Sequence, residues 1–331
     1  MKQQRALDVA IRVTLVLVVV VAAYLGYSMW SSQKQIEASS PGYRALNNIR
    51  VYVKRHPNNA TARVDLAQAL IAVGKPEEAI EQYKQALKLD PKNVPGRMGL
   101  GLLAMQQKQY KVAEGHWREI IALLVNGPDA RDARLEQAYF YLGQCYVETR
   151  QYEDAVGALK QALYIRRDAS DSHYTLAVAY RGLGITDMEK QELETALAFE
   201  PQMPEANYDL GKIFLKEGDK AAAAERFRLS ADKAPEGVRE PTEALAKLGS
   251  ADDHVAAAQK LQSSDPKKAL IEGRIALAID PSRTDVAVLV AKLYASTGKA
   301  EQAKGLYEKV LKRDPNNQAA KDGIARLNRV K

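Results

Sequence analysis

The 331-residue sequence predicts an all-α solenoid of stacked helix-turn-helix units preceded by a single membrane-spanning helix. Three observations carry that expectation. First, GKPEEAIEQYKQALKLDP (Gly74 to Pro91) returns in degenerate form at Arg150 to Asp168, Glu217 to Pro235 and Thr297 to Pro315. A phrase that repeats with fixed internal spacing marks one helical unit being stacked, because a lone helix pair cannot bury its apolar face. Second, the residue opening each second helix falls at Ala79, Ala113, Ala155, Glu189, Ala223, Ala269 and Ala303, at intervals of 34, 42, 34, 34, 46 and 34, so a period of 34 carries insertions of 8 and 12. Third, Val13 to Trp30 contains no charged residue.

Taken in order, residues 1–12 form a short tail and 13–30 the expected transmembrane helix. Eighteen residues of helix span roughly 27 Å, close to a bilayer's hydrocarbon core, with Tyr24, Tyr27 and Trp30 toward one interface. A cleaved signal peptide is the rival, but its apolar region would be shorter and end at a small-x-small site, and SMWSSQKQ offers no convincing one. Lys2, Arg5 and Arg12 precede the span more tightly than Lys34, Arg44 and Arg50 follow it, which favours a cytoplasmic N-terminus and extracytoplasmic repeats, with cytosolic repeats as the alternative. Ala22 and Gly26 form a small-xxx-small pair that would let two such helices approach.

Residues 31–59 read as a linker and a capping half-repeat, with Ala45 and Pro57 in register with the repeats. Repeats one and two occupy 60–125, an insertion 126–135, repeats three to five 136–235, a helical insertion 236–249, repeats six and seven 250–316, and a capping helix 317–331. A bend or shift of the stack is expected at the second insertion, where a short helical pattern follows Pro241.

Within this frame Leu66-Ala67 with Leu70, Leu142-Gly143 with Tyr146, Leu176-Ala177 with Tyr180, and Leu210-Gly211 with Phe214 recur on first helices. Gly74, Gly184, Gly218 and Gly298 stand at the turns, Tyr83 with Ala86 and Phe227 with Ser230 on second helices, and Pro91, Pro201, Pro235, Pro281 and Pro315 at the exits. This pattern resembles the tetratricopeptide repeat. The match departs at Lys108, which replaces the turn glycine, at Ile120 and Gly273, and at Glu189, which replaces the usual Ala.

The resemblance implies a right-handed superhelix whose first helices line a concave groove for a protein or peptide. The register puts Met98, Leu102 and Met105, then Phe140 and Gln144, then Tyr174, Val178 and Arg181, then Tyr208 and Lys212, and finally Lys292 on its inner stripe. Such a groove would be apolar and aromatic with scattered positive charge, suited to an extended or helical peptide. Val64 and Gln68 do not reproduce the two-carboxylate clamp of chaperone-binding relatives.

Composition excludes other classes. The formal charge of +7 is interleaved along the helices, without the one-sided basic, aromatic stripe of a nucleic-acid binder. Cys145 is the lone cysteine and reads as a buried small hydrophobe, and His56, His116, His173 and His254 lack metal-site spacing. No phosphate loop or nucleophile elbow is present, so neither cofactor, metal nor catalytic residue is expected. The expected function is a membrane-anchored scaffold assisting assembly of an envelope complex of pilus, secretion or cytochrome c biogenesis type, a choice resting on the resemblance alone. A tethered chaperone-like holder of extended clients, or a cytosol-facing import-receptor type, are the competing readings.

Overall fold

The computed structural model describes residues 2–127 and 132–329; ahead of residue 40, side chains are described at 15, 17–32 and 34–35. Part of the first insertion, residues 128–131, therefore lies outside the described residues. Two compact units divide at residues 130 and 131. Among the described residues there are 18 helices and no strand.

The first unit contains α1 (Lys2–Ser39), α2 (Pro41–Arg55) and the pairs α3 (Ala60–Ala72) with α4 (Pro76–Leu89) and α5 (Val94–Gln106) with α6 (Tyr110–Leu124). The second contains α7 (Ala133–Glu148) with α8 (Tyr152–Ile165), α9 (Ser170–Gly182) with α10 (Thr186–Phe199), and α11 (Pro204–Glu217) with α12 (Lys220–Ala231). After a short α13 (Glu240–Ala246) come α14 (Ala251–Leu261) with α15 (Pro266–Ile279), α16 (Thr284–Ser296) with α17 (Ala300–Arg313), and α18 (Gln318–Arg329).

Six of the seven turns between paired helices are set by one left-handed residue, the turn from α14 to α15 being the exception. Gly74, Gly184, Gly218 and Gly298 take φ of 76°, 73°, 88° and 79°. Lys108 and Arg150 occupy the same place at 57° and 60°, a conformation that costs a residue with a Cβ roughly 1–2 kcal/mol. In all six turns the amide of the next residue reaches back to a carbonyl five residues earlier, as from Lys75 to Leu70 and from Gln109 to Ala104, which satisfies an orphan carbonyl of the first helix. At the helix starts, Asn59 and Asn93 accept the amides of Ala62 and Gly96 at 2.9 Å, a cap worth about 1 kcal/mol.

Close approach within a pair depends on the small residues. Ala79, Ala113, Ala155, Ala223, Ala269 and Ala303 are all 0% exposed. A Cβ added to Gly211 would lie 2.7 Å from the Phe227 ring, so the ring fills space that only glycine leaves.

A second device recurs that the sequence reading did not single out. A polar side chain early in the first helix hydrogen-bonds a carbonyl six residues back and also a side chain on the second helix. Arg63 holds the Pro57 carbonyl and Gln82, Arg97 holds Pro91 and Glu119, and Asn207 holds Pro201 and Arg226. His173 bridges the Arg167 carbonyl at 3.0 Å and Glu192 at 2.7 Å, and His254 bridges Leu248 at 2.9 Å and Glu272 at 2.6 Å. Each clasp ties the incoming loop to both helices of its pair and pairs a loop carbonyl.

Between regular repeats the second helix packs on the next first helix: α4 on α5, α8 on α9, α10 on α11 and α15 on α16. The expected shift at the second insertion takes a definite form. There α12 packs on α15, second helix against second helix, with α13 against both. Leu245 of α13 anchors the junction by entering a core with Phe227, Ile275 and Ala278. At the far end α18 packs Ala320, Ile324 and Leu327 into the core of the last helix pair. The register of the other cap differs from expectation by one residue: Ala45 is exposed and Leu46, at 0% exposure, is the buried residue of α2.

Among the described residues no helix is long and apolar enough to cross a membrane. The expected span at 13–30 includes residues 13, 14 and 16, whose side chains lie outside the described set. The structure does not support that expectation, and it carries α1 unbroken to Ser39, so 31–39 are helix and not linker. What α1 presents is an exposed apolar surface on every side, from Leu15 at 59% and Val19 at 65% to Met29 at 74%. Among the described residues none lies within 4 Å of a Cβ added to Gly26, and the structure does not support the helix association expected of Ala22 and Gly26.

Candidate protein-binding groove

The expected inner stripe falls into both units. In the first, Met98, Leu102 and Met105 share α5, with Leu102 41% exposed and both methionines half-buried. In the second, Phe140 and Gln144 on α7, Tyr174 and Val178 on α9, and Tyr208 and Lys212 on α11 are i, i+4 pairs, which lie on one face of a helix. The stacking of α8 on α9 and α10 on α11 makes these three first helices consecutive. Lys292 stands on α16, beyond the interrupted junction, exposed and paired with no carboxylate among the described residues.

The tyrosines of the stripe are half in the core. Tyr174 packs against the core cluster that includes Leu193, Met203 and Leu210, while Tyr208 packs on Phe227 with ring centroids 5.7 Å apart. Lys212 lies over the Tyr208 ring at 4.9 Å. Phe140 and Tyr141 contact each other at 5.2 Å.

At the centre of the stripe lies a buried carboxylate that sequence reasoning passed over. Asp209 is 5% exposed, and it accepts from the Tyr174 hydroxyl at 3.3 Å, from Arg181 at 2.8 Å and from Lys212 at 2.7 Å. Arg181 also faces Glu189, 7% exposed, at 3.6 Å. Glu189 sits where the other repeats carry a small residue, and this pairing accounts for that departure. Burial, reinforced by the Asp209 charge, pushes the Tyr174 hydroxyl up to about 12. Burial likewise raises the Glu189 carboxyl, against the opposing pull of Arg181. For the Arg181 guanidinium burial acts downward, but its bond to Asp209 and the charges of Asp209 and Glu189 together outweigh that and leave it raised.

Arg181 and Lys212 are therefore matched by two carboxylates of the same chain, so at α9 and α11 the positive charge expected from the sequence is compensated, whereas that of Lys292 is not. The stripe offers half-buried aromatic and apolar surface, an amide at Gln144, and a hydrogen-bond network whose charges cancel. Such a surface suits contact with a polypeptide through apolar side chains and neutral hydrogen bonds.

Comparison with known proteins bears on the repeats. Three family descriptions, each reading "Tetratricopeptide repeat", match residues 64–128, 98–172 and 190–238, residues 22–92, and residues 250–327. The BBSome complex member BBS4 of Bos taurus is 25% identical over 175 residues, covering 53% of this chain and 32% of that protein. Anaphase-promoting complex subunit 7 of Arabidopsis thaliana is 25% identical over 335 residues, covering 89% of this chain and 56% of that protein. Among solved structures, YrrB, described as a protein with an unusual peptide-binding site, is similar with a TM-score of 0.47 at 18% identity, over 61% of this chain and 98% of that chain.

Proposed function

Because the chain belongs to the tetratricopeptide repeat proteins, we propose that it is a non-catalytic scaffold that holds a partner polypeptide along the inner stripe of α7, α9 and α11. The observation that carries this reading is the charge-compensated stripe itself, where Phe140, Val178 and Tyr208 remain partly exposed beside cations already occupied by Asp209 and Glu189. Two relatives are named as a complex member and a complex subunit, which supports assembly of a multi-subunit complex as the setting.

The scaffold is proposed to be held at a membrane by α1. Support comes from the exposed apolar residues between Leu15 and Met29, a surface far larger than a soluble helix ordinarily leaves uncovered, and from Lys34 lying 4.3 Å over the Trp30 ring at the polar end of the run. A cytoplasmic N-terminus and extracytoplasmic repeats follow from the basic residues ahead of the run. Tethering would raise the local concentration of weak partners. Alkaline extraction of membranes containing the full chain tests the anchor, and release into the soluble fraction would remove it. A reporter fused after Lys331 tests the orientation, and cytosolic repeats would favour the import-receptor type.

The scaffold is tested by placing a photo-crosslinking residue at Val178 in the full chain and identifying what it captures in cells. A small partner set, diminished when Phe140 and Tyr208 are changed to Ala, is the expected result. A broad spread of unrelated clients would favour the chaperone-like holder, and capture unaffected by those changes would move the binding surface elsewhere.

A further inference from the structure

A cleft lies beside the interrupted junction. Because α12 packs on α15 instead of a first helix, three second helices, α12, α15 and α17, stand around α16. The space between them measures about 660 Å³, within the range of small binding clefts. Its lining uses Ala287, Val290 and Tyr294 of α16, which are not the inner-stripe positions of that helix, so the cleft is separate from the proposed groove.

The walls are charged in one sense. Arg228, Arg274, Lys309, Lys312 and Arg313 line the cleft and Glu225 is the one carboxylate among the lining residues. Glu225 is already held by Arg274 through two bonds of 2.7 and 3.0 Å, and Arg228 is paired with Asp232. Arg313 gives one N–H to the Pro281 carbonyl at 2.5 Å, which fixes its stem and leaves its charge uncompensated. Neither Lys309 nor Lys312 pairs with a carboxylate among the described residues, and both are exposed or nearly so. Apolar contact is available between the cations from the half-buried Leu277 and Leu306, over a floor formed by the buried Val290 and Val310. This is the inverse of the inner stripe at α9 and α11, where Arg181 and Lys212 meet buried acids.

We propose that this cleft is a second docking surface, which takes an acidic polypeptide segment carrying an apolar side chain. The carboxylates of the segment would meet Lys309, Lys312 and Arg313 while its apolar side chain enters between α15 and α17. Charge complementarity supplies the occupant's sign, and the apolar lining distinguishes it from a simple polyanion, which would leave that surface uncovered. The proposal does not depend on what the inner stripe binds.

Gly305 gives a steric test that protects the fold. It lines the cleft from the interior of α17, and a Cβ added there meets nothing within 4 Å. Gly305→Leu should therefore fill the cleft while improving helix propensity. A fluorescein-labelled peptide of repeated Glu-Glu-Leu, titrated by anisotropy against the full chain in detergent, is expected to bind. Its affinity should fall about tenfold in Gly305→Leu and in Lys309→Glu with Lys312→Glu, at unchanged helicity by circular dichroism. The exposed pair Lys84→Glu with Lys88→Glu on α4 should have no such effect. Equal losses from both charge-reversed pairs, undiminished binding in Gly305→Leu, or equal binding of a Glu-Glu-Ser peptide or a single-stranded oligonucleotide would each overturn the proposal.

Discussion

The inner stripe of α9 and α11 and the cleft between α12, α15 and α17 belong to the same unit, and both combine aromatic or apolar surface with arginine and lysine. They differ in where the opposing charge sits. In the stripe Asp209 and Glu189 are buried beneath Arg181 and Lys212, whereas in the cleft Glu225 answers Arg274 and leaves Lys309, Lys312 and Arg313 without a matching acid. The stacking explains the difference. Regular contact of α10 with α11 brings first-helix residues of adjacent repeats close enough for one carboxylate to serve several donors, while the displaced contact of α12 with α15 spreads the second helices around open space. A solenoid of uniform sequence logic thus acquires two surfaces of different charge through one change of packing partner.

The comparison breaks most severely at Asp209. Asp209→Ala would leave Arg181 and the Tyr174 hydroxyl without their shared acceptor, and a destabilisation of about 2–3 kcal/mol is expected, measured by chemical denaturation. The variant stripe would also become cationic, so the Glu-Glu-Leu peptide should gain a second site. Denaturation unchanged from the native chain would mean that the network contributes nothing net and that the two surfaces do not differ in the way described.

Leu245 probes the cause of the cleft. It is 8% exposed, and Leu245→Ala removes the side chain by which α13 enters the core shared by α12 and α15, for an expected loss of about 2 kcal/mol. If the seating of α12 on α15 needs that anchor, hydrogen exchange in α12 should accelerate more than in α9. Equal rates would detach α13 from the origin of the cleft.

A smaller effect is expected at Glu225, whose side chain is 44% exposed. Glu225→Gln should cost at most about 1 kcal/mol because solvent screens the pair. Removal of the one lining carboxylate should nevertheless tighten binding of the acidic peptide, and weaker binding would show that Arg274 must be held in place for the cleft to work.

Several of these features were open to reading in the sequence and others were not. The 34-residue period located the helix pairs, and Gly74, Gly184, Gly218 and Gly298 announced their left-handed turns because few other residues take that conformation cheaply. Lys108 was visible as a departure, and the structure shows that the turn is kept and the strain accepted. The clasps left a legible trace that periodic apolar patterning ignores: a polar residue six positions after a proline at Arg63, Arg97 and Asn207. Asp209 and the cleft left none. The burial of one depends on which cations two neighbouring helices bring over it, and the other depends on α12 choosing α15, a choice made by the fit of Leu245 and Ile275 and not by any local pattern.

The weakest expected effect belongs to a clasp and is read from its pH dependence. His173 bridges Glu192 and the Arg167 carbonyl with both partners of the ion pair largely buried, at 12% and 13% side-chain exposure. Burial alone would lower its imidazole, but the Glu192 bond, the carbonyl bond and the Glu192 charge together outweigh that and hold it above its ordinary value of 6.5. A histidine whose folded value lies above its unfolded one binds its proton more tightly in the folded chain. Its contribution is accordingly complete below the unfolded value and is lost as pH rises through the folded one. His173→Gln should therefore lower stability by about 1 kcal/mol near pH about 5.5 and by progressively less toward pH about 8. Comparing the variant with the native chain at each pH cancels the titration of every other group. A constant His173→Gln deficit would show that the clasp acts through its neutral hydrogen bonds, and a deficit that grows with pH would reverse the sign of the imidazole's shift.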